Sequence, residues 1–109
     1  MFRRLVLLFW AMEIEFDDPD LDRLEVDPRF TAGFPPAVVK GFRKAIGFIR
    51  QAADERDLYA MRGLNFKPLE RDRAGQRSMK LNDQWRLIVE LRGQAPKKRI
   101  GVIEIVDYH

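Results

Sequence analysis

The apolar residues of this chain change their spacing once, near Gly63, and that change limits what it can fold into. Before it, Val38, Val39, Phe42, Ala45, Ile46, Ile49, Ala52 and Ala53 recur at intervals of three and four. That spacing predicts an amphipathic helix over 36–53. After it, Arg77, Met79 and Leu81 alternate with Ser78 and Lys80. Trp85, Leu87, Val89 and Leu91 then alternate with Arg86, Ile88, Glu90 and Arg92. Period two predicts strands with one face turned to a core. Ile100–Val106 is a nearly continuous apolar run, which predicts a buried strand. Asn82-Asp83 and residues 93–98 are short turn signals, so three sequential strands form an antiparallel meander. The class is α+β, with N-terminal helices packed on a twisted antiparallel sheet.

The first part of the chain fits that plan. Glu13–Phe16 alternates as a short strand. Asp17-Asp18-Pro19-Asp20 is a helix start, with an acidic cap and Pro in the first turn. Leu21 and Leu24 face inward on that helix, and 27–36 is a Pro- and Gly-broken connection. Asp54–Met61 reads as a further helical turn or two. Leu64, Phe66 and Leu69 suggest an edge strand, because Pro68 donates no ladder hydrogen bond. Gly41 and Gly47 each cost the long helix about 1 kcal/mol against Ala. They are therefore expected where another element comes close. Trp85 and Phe66 are read as core.

At 109 residues the chain holds one domain, expected over 12–109. Residues 1–11 look foreign to it: two arginines precede an apolar run too short to span a bilayer. No small-x-small cleavage site follows. The readings are an upstream extension with Met12 as natural start, an extra packed element, or a targeting segment. With no cysteine, disulfides and thiolate zinc sites are excluded, and the reducing cytoplasm is the expected compartment. A single histidine excludes a His-rich metal site.

Charge is unevenly placed. Residues 1–60 carry 9 Lys/Arg against 11 Asp/Glu, a net of −2; residues 61–109 carry 11 against 6, a net of +5. One surface is therefore suited to a polyanion, the alternative being a solvated basic face. The acidic stretch 13–27, with eight acids and one base, is not expected to meet phosphates. Lys40, Arg43, Lys44 and Arg50 are read as a solvated helix face rather than a phosphate contact.

The segment Leu69-Glu70-Arg71-Asp72-Arg73-Ala74-Gly75-Gln76-Arg77-Ser78, then Asn82-Asp83-Gln84-Trp85-Arg86, and the terminal Asp107-Tyr108-His109 together resemble the HigB-type killer toxins of the RelE/ParE superfamily. The resemblance runs over roughly 12–109. It implies a RelE-like domain that cleaves messenger RNA in the ribosomal A site without metal or cofactor. It implies neutralisation by a HigA-like helix-turn-helix antitoxin, with operator DNA bound only through the antitoxin complex, and no membrane. Arg86, Asp107, Tyr108 and His109 fall on positions associated with activity. The family commonly places histidine where this chain has Lys67, lysine at Glu70 and glycine at Arg71. Lys67 then takes over phosphate contact or proton transfer. A catalytically impaired binding module on the same scaffold, or a gyrase-directed ParE-like toxin, is the alternative.

Cleavage of this kind makes the ribose 2′-OH the nucleophile at the adjacent phosphorus. It needs a base, an acid for the leaving 5′-oxygen and cations for the developing charge. Arginine suits the last role, with a planar fork that stays charged. Arg86 leads, with Arg71, Arg73, Arg77 and Lys80 as RNA-binding residues; an ion pair near Glu90 or with Glu104 is its structural alternative. His109 exchanges protons near neutrality, Asp107 orients it or acts as base, and Tyr108 stacks on a base. Counted along an extended strand, Asp107 and His109 share one face and Tyr108 the other. Because residues 1–11 supply none of these groups, a chain beginning at Met12 is expected to melt at the same temperature as the full chain. A lowered melting temperature would place the apolar run in the core.

Overall fold

A computed structural model describes residues 12–94 and 97–108. Strand β1 (Glu13–Phe16) is followed by helices α1 (Pro19–Val26), α2 (Pro36–Gln51) and α3 (Glu55–Ala60). Strands β2 (Lys67–Pro68), β3 (Gln76–Lys80), β4 (Trp85–Arg92) and β5 (Arg99–Asp107) complete one five-stranded sheet. Its order is β1-β5-β4-β3-β2. The meander β3–β4–β5 is antiparallel as expected, and β2 joins β3 antiparallel. The sequence left the partner of β1 open; it lies parallel to β5, with Ile14 opposite Ile100.

The helices form where their caps sit. Asp18 accepts from the Asp20 amide, with Pro19 opening α1, and Asp54 accepts from the Arg56 amide at the start of α3. Val38, Val39, Phe42, Ala45, Ile46 and Ile49 form the buried stripe of α2. Phe42, Ile46 and Ile49 pack with Met79, Leu87, Val89, Ile100 and Val102, so one sheet face is covered by helices. Phe66 is buried in the core as expected, whereas Trp85 is half-buried, edge-on to Phe34 at 5.8 Å, and stands outside the buried cluster. The other sheet face carries Lys80, Arg86, Arg92, Glu104 and Val106, by the strand register.

Two expected elements are shorter or built differently. The edge strand is reduced to Lys67–Pro68, because Leu64 closes a 3-10 turn and Asn65 turns left-handed at φ 45°. The β3–β4 turn does not use positive φ at Asn82 or Asp83. Instead the Asn82 carboxamide oxygen accepts from the Gln84 and Trp85 amides, holding a longer connection.

Of the two helical glycines, Gly41 answers to close approach and Gly47 does not. A Cβ on Gly41 would fall inside contact distance of the Leu81 carbonyl oxygen, whereas one on Gly47 meets nothing within 4 Å. Leu81 cannot easily retreat, since its amide bonds the Trp85 carbonyl at 2.9 Å. Ala would gain about 1 kcal/mol of helix propensity at either position. Overpacking at Gly41 costs about 1–3 kcal/mol and outweighs that gain. Gly41→Ala should therefore lower the denaturant midpoint and Gly47→Ala raise it; the same sign at both would show that the α2–Leu81 contact yields.

Candidate functional site

The sheet face opposite the helices, free of helix among the described residues, divides into two halves. At one end the Arg92 guanidinium bonds Glu90, Glu15 and Asp17, and Arg99 bonds Glu15. Arg92 crosses β5 directly over Gly101, where any Cβ would collide with it. Bonding to Asp17, Glu90 and Glu15 pushes the Arg92 pKa up. The hydrogen bond from Arg92 holds the Asp17 carboxyl below its ordinary range. In mid-face Arg73 reaches across β4, donating to Gln76 at 2.9 Å and to Glu104 at 2.8 Å. Ile88, the register neighbour of Glu104, is fully buried although its parity turns it away from the helices.

The far end differs. Lys80 is the register partner of Arg86, and Arg86 of Val106. Arg86 is half-buried, with its Nη1 donating to the Asn65 carbonyl at 3.3 Å. Asn65 delivers that carbonyl from its left-handed turn. The Arg86 guanidinium also lies 5.8 Å from the centre of the Tyr108 ring, within cation–π range. Among the described residues Arg86 forms no ion pair; neither Glu90 nor Glu104 takes it. Lys67, opposite Ser78 on β2, is exposed and stands diagonally from Lys80 on the same face. The structure thus brings together Lys67, Lys80, Arg86 and Tyr108. Lys80 pairs with the exposed Asp83 at 3.2 Å.

The remaining sequence candidates lie elsewhere. Arg77 is opposite Val89, on the helix side, and donates to the Tyr59 hydroxyl at 3.0 Å. Arg71 is exposed on the β2–β3 connection at φ 57°. Arg73 is committed to Glu104. Asp107 is opposite Trp85, on the face away from Arg86, and both its oxygens accept from the Gln84 carboxamide at 3.0 Å. His109 lies outside the described residues, as do residues 1–11. The face of Asp107 follows from an irregularity: the register shifts between Ile88 and Val89, leaving Ile103 as an extra residue in β5. Past it, every β5 side chain takes the face opposite to the one a straight count from Ile100 gives. Sequence reasoning missed Asn65, whose only signal is its residue type next to Phe66. Among the described residues no cluster of His, Asp or Glu is arranged to hold a metal ion, and no helix is long and apolar enough to cross a membrane.

The sequence matches no protein-family model and no curated protein. Its fold is found in solved structures. A YoeB/ParE toxin from Agrobacterium tumefaciens superposes with a TM-score of 0.57 at 19% identity, over 90% of this chain and 100% of that one. A RelBE2 toxin–antitoxin complex from Mycobacterium tuberculosis gives 0.47 at 17%, over 91% and 99%. The chain thus has the α+β fold of the YoeB/ParE toxin.

The ion-paired half of the face sets a pH dependence. A carboxyl with a lowered folded-state pKa stabilises the fold above its ordinary pKa, here 3.8, and loses that contribution as pH falls through the folded value. The melting temperature of the parent should therefore drop more steeply below about pH 4 than that of Asp17→Asn. Parallel curves would show that the Arg92–Asp17 contact adds nothing to stability.

Proposed function

We propose that this chain is the toxin of a type II toxin–antitoxin system, a ribosome-dependent, metal-independent mRNA endonuclease of the HigB kind. One observation carries the reading: Arg86 is held between the Asn65 carbonyl and the Tyr108 ring, with no carboxylate paired to it among the described residues, on a face it shares with Lys67 and Lys80. A guanidinium fixed by neutral groups keeps its full charge for an incoming phosphate. The likeness in fold to the YoeB/ParE toxin supports the same reading.

Each residue then has a distinct task. Arg86 binds the scissile phosphate and stabilises the charge that develops on its oxygens. Lys67 and Lys80 supply long-range attraction for the RNA backbone, and Arg71 extends it along the β2–β3 connection. Tyr108, 45% exposed, offers its free ring surface to a base. Asp107, held by Gln84, positions the chain end, where His109 is the proton-transfer group at neutral pH. The partners are mRNA in the ribosomal A site and a helix-turn-helix antitoxin, with the cytoplasm as compartment. The placement of Asp107 away from Arg86 favours the second reading, a binding module of impaired activity.

Inducing the chain in cells and mapping transcript 5′ ends separates these. Cuts inside translated codons are the expected result; DNA damage without cuts would indicate a gyrase poison, and undisturbed growth the impaired module. Arg86→Ala should lower cleavage by about 10²–10³-fold with the fold intact, since it removes a charge donor and no core packing. Lys67→Gln should weaken cleavage and Lys67→His retain or raise it. Full cleavage by the Arg86 variant, measured on translating ribosomes, would move the site elsewhere.

A further inference from the structure

A cavity of about 270 Å³ opens between α2, the turn after α3 and the end of β3. Its floor is apolar, formed by Phe48, Leu64, Leu81 and Met61, the last 37% exposed. The charged residues that line it are Lys44 and Lys80, with no carboxylate among its walls. The volume is below the roughly 300–1,000 Å³ of small-molecule sites, so it fits one or two aliphatic side chains. It is not a stacking platform for RNA, because the Lys44 ammonium stands over the Phe48 ring, 6.0 Å from its centre. An apolar floor beneath a wholly cationic rim calls for aliphatic side chains flanked by carboxylates.

We infer that this cavity docks an acidic, leucine-anchored segment of a partner polypeptide, and that its occupation withdraws Lys80 from the RNA-binding face. Lys80 links the two places. It lines the cavity, and it is the cross-strand neighbour of Arg86. The strand β2 ends at Lys67–Pro68, opposite Ser78 and Arg77, so its ladder does not extend to Lys80. A carboxylate brought by the partner replaces the exposed contact with Asp83 and lowers the positive charge beside Arg86 without covering it. Docking itself needs no assumption about activity; the effect on RNA rests on the endonuclease reading.

The test uses short blocked helical peptides titrated into isotope-labelled protein and followed by amide NMR. The first carries two leucines one turn apart, flanked by glutamates; the second has serine for leucine, and the third lysine for glutamate. A short oligoribonucleotide is the fourth probe. The leucine–glutamate peptide should bind at least about tenfold tighter than either control and shift the amides of Lys44, Met61 and Leu64. Gly63→Leu places a side chain in open space at the cavity wall, where a Cβ meets nothing within 4 Å. It should keep the parent melting temperature and RNA cleavage but lose the peptide about tenfold. Lys44→Glu should reverse the preference between the acidic and basic peptides. Equal binding of the serine peptide, cavity shifts with the oligoribonucleotide, or no binding at all would overturn the docking site. Peptide binding together with absent cleavage in the parent would leave the docking site standing and remove the endonuclease.

Discussion

The whole arrangement depends on the burial of β4 on both sides. Leu87, Ile88 and Val89 are consecutive and all 0% exposed, so successive side chains are covered on opposite faces of one strand. Leu87 and Val89 share a buried cluster with Phe42 and Ile46 of α2 and Met79 of β3. Ile88 is sealed on the other face, where Arg73 spans the strand to reach Glu104. A large fully buried aliphatic side chain stabilises by about 1.5–3 kcal/mol, so three together hold the centre of the sheet in place. What remains accessible on the face opposite the helices is its two ends. One is consumed by ion pairs around Arg92, and the other holds Arg86.

This division matters more for chemistry than for stability. Ion pairs as exposed as those of Arg73 or Arg99 contribute up to about 1 kcal/mol each. Their effect is to settle which cations are available. Arg73, Arg92 and Arg99 are answered by Glu104, Glu90, Glu15 and Asp17, while among the described residues Arg86 is answered by a carbonyl and a ring. A count of basic residues does not distinguish these groups; the carboxylates that answer them come from β1 and the residue after it, from β4 and from β5. The net charge of the second half of the chain is therefore a poor guide to where a polyanion would sit.

Much of the fold was legible because packing is written as period. The stripe of α2, the alternation in β3 and β4 and the acidic cap before Pro19 all occupy the expected places, and α3 lies within the stretch 54–61 expected to be helical. So does the face of Arg86, opposite to that of Trp85. Less of the site was legible. Lys67, Lys80, Arg86 and Tyr108 gather as a sequence reader would wish, yet Arg77 turns to Tyr59 and Arg73 to Glu104, because long side chains choose partners remote in sequence. The left-handed turn of Asn65 leaves no periodic trace, and it is what sets the carbonyl against Arg86.

The extra residue at Ile103 acts as a phase shift in β5. Up to it, side chains alternate in one phase with β4; beyond it, in the opposite phase. Tyr108 thereby stands on the Arg86 side and the Asp107 carboxylate beside Trp85. Deleting that one residue would only remove the bulge: Glu104 would follow Val102 directly, still opposite Ile88, and both side chains would keep their faces. Drawing Ile103 into the ladder would exchange the two. A carboxylate would then meet the Arg86 guanidinium, quench its charge and repel phosphate, while the ring would turn toward the helices. The same residues in the same order thus present a ring or a carboxylate to Arg86 according to whether one residue is looped out of the strand.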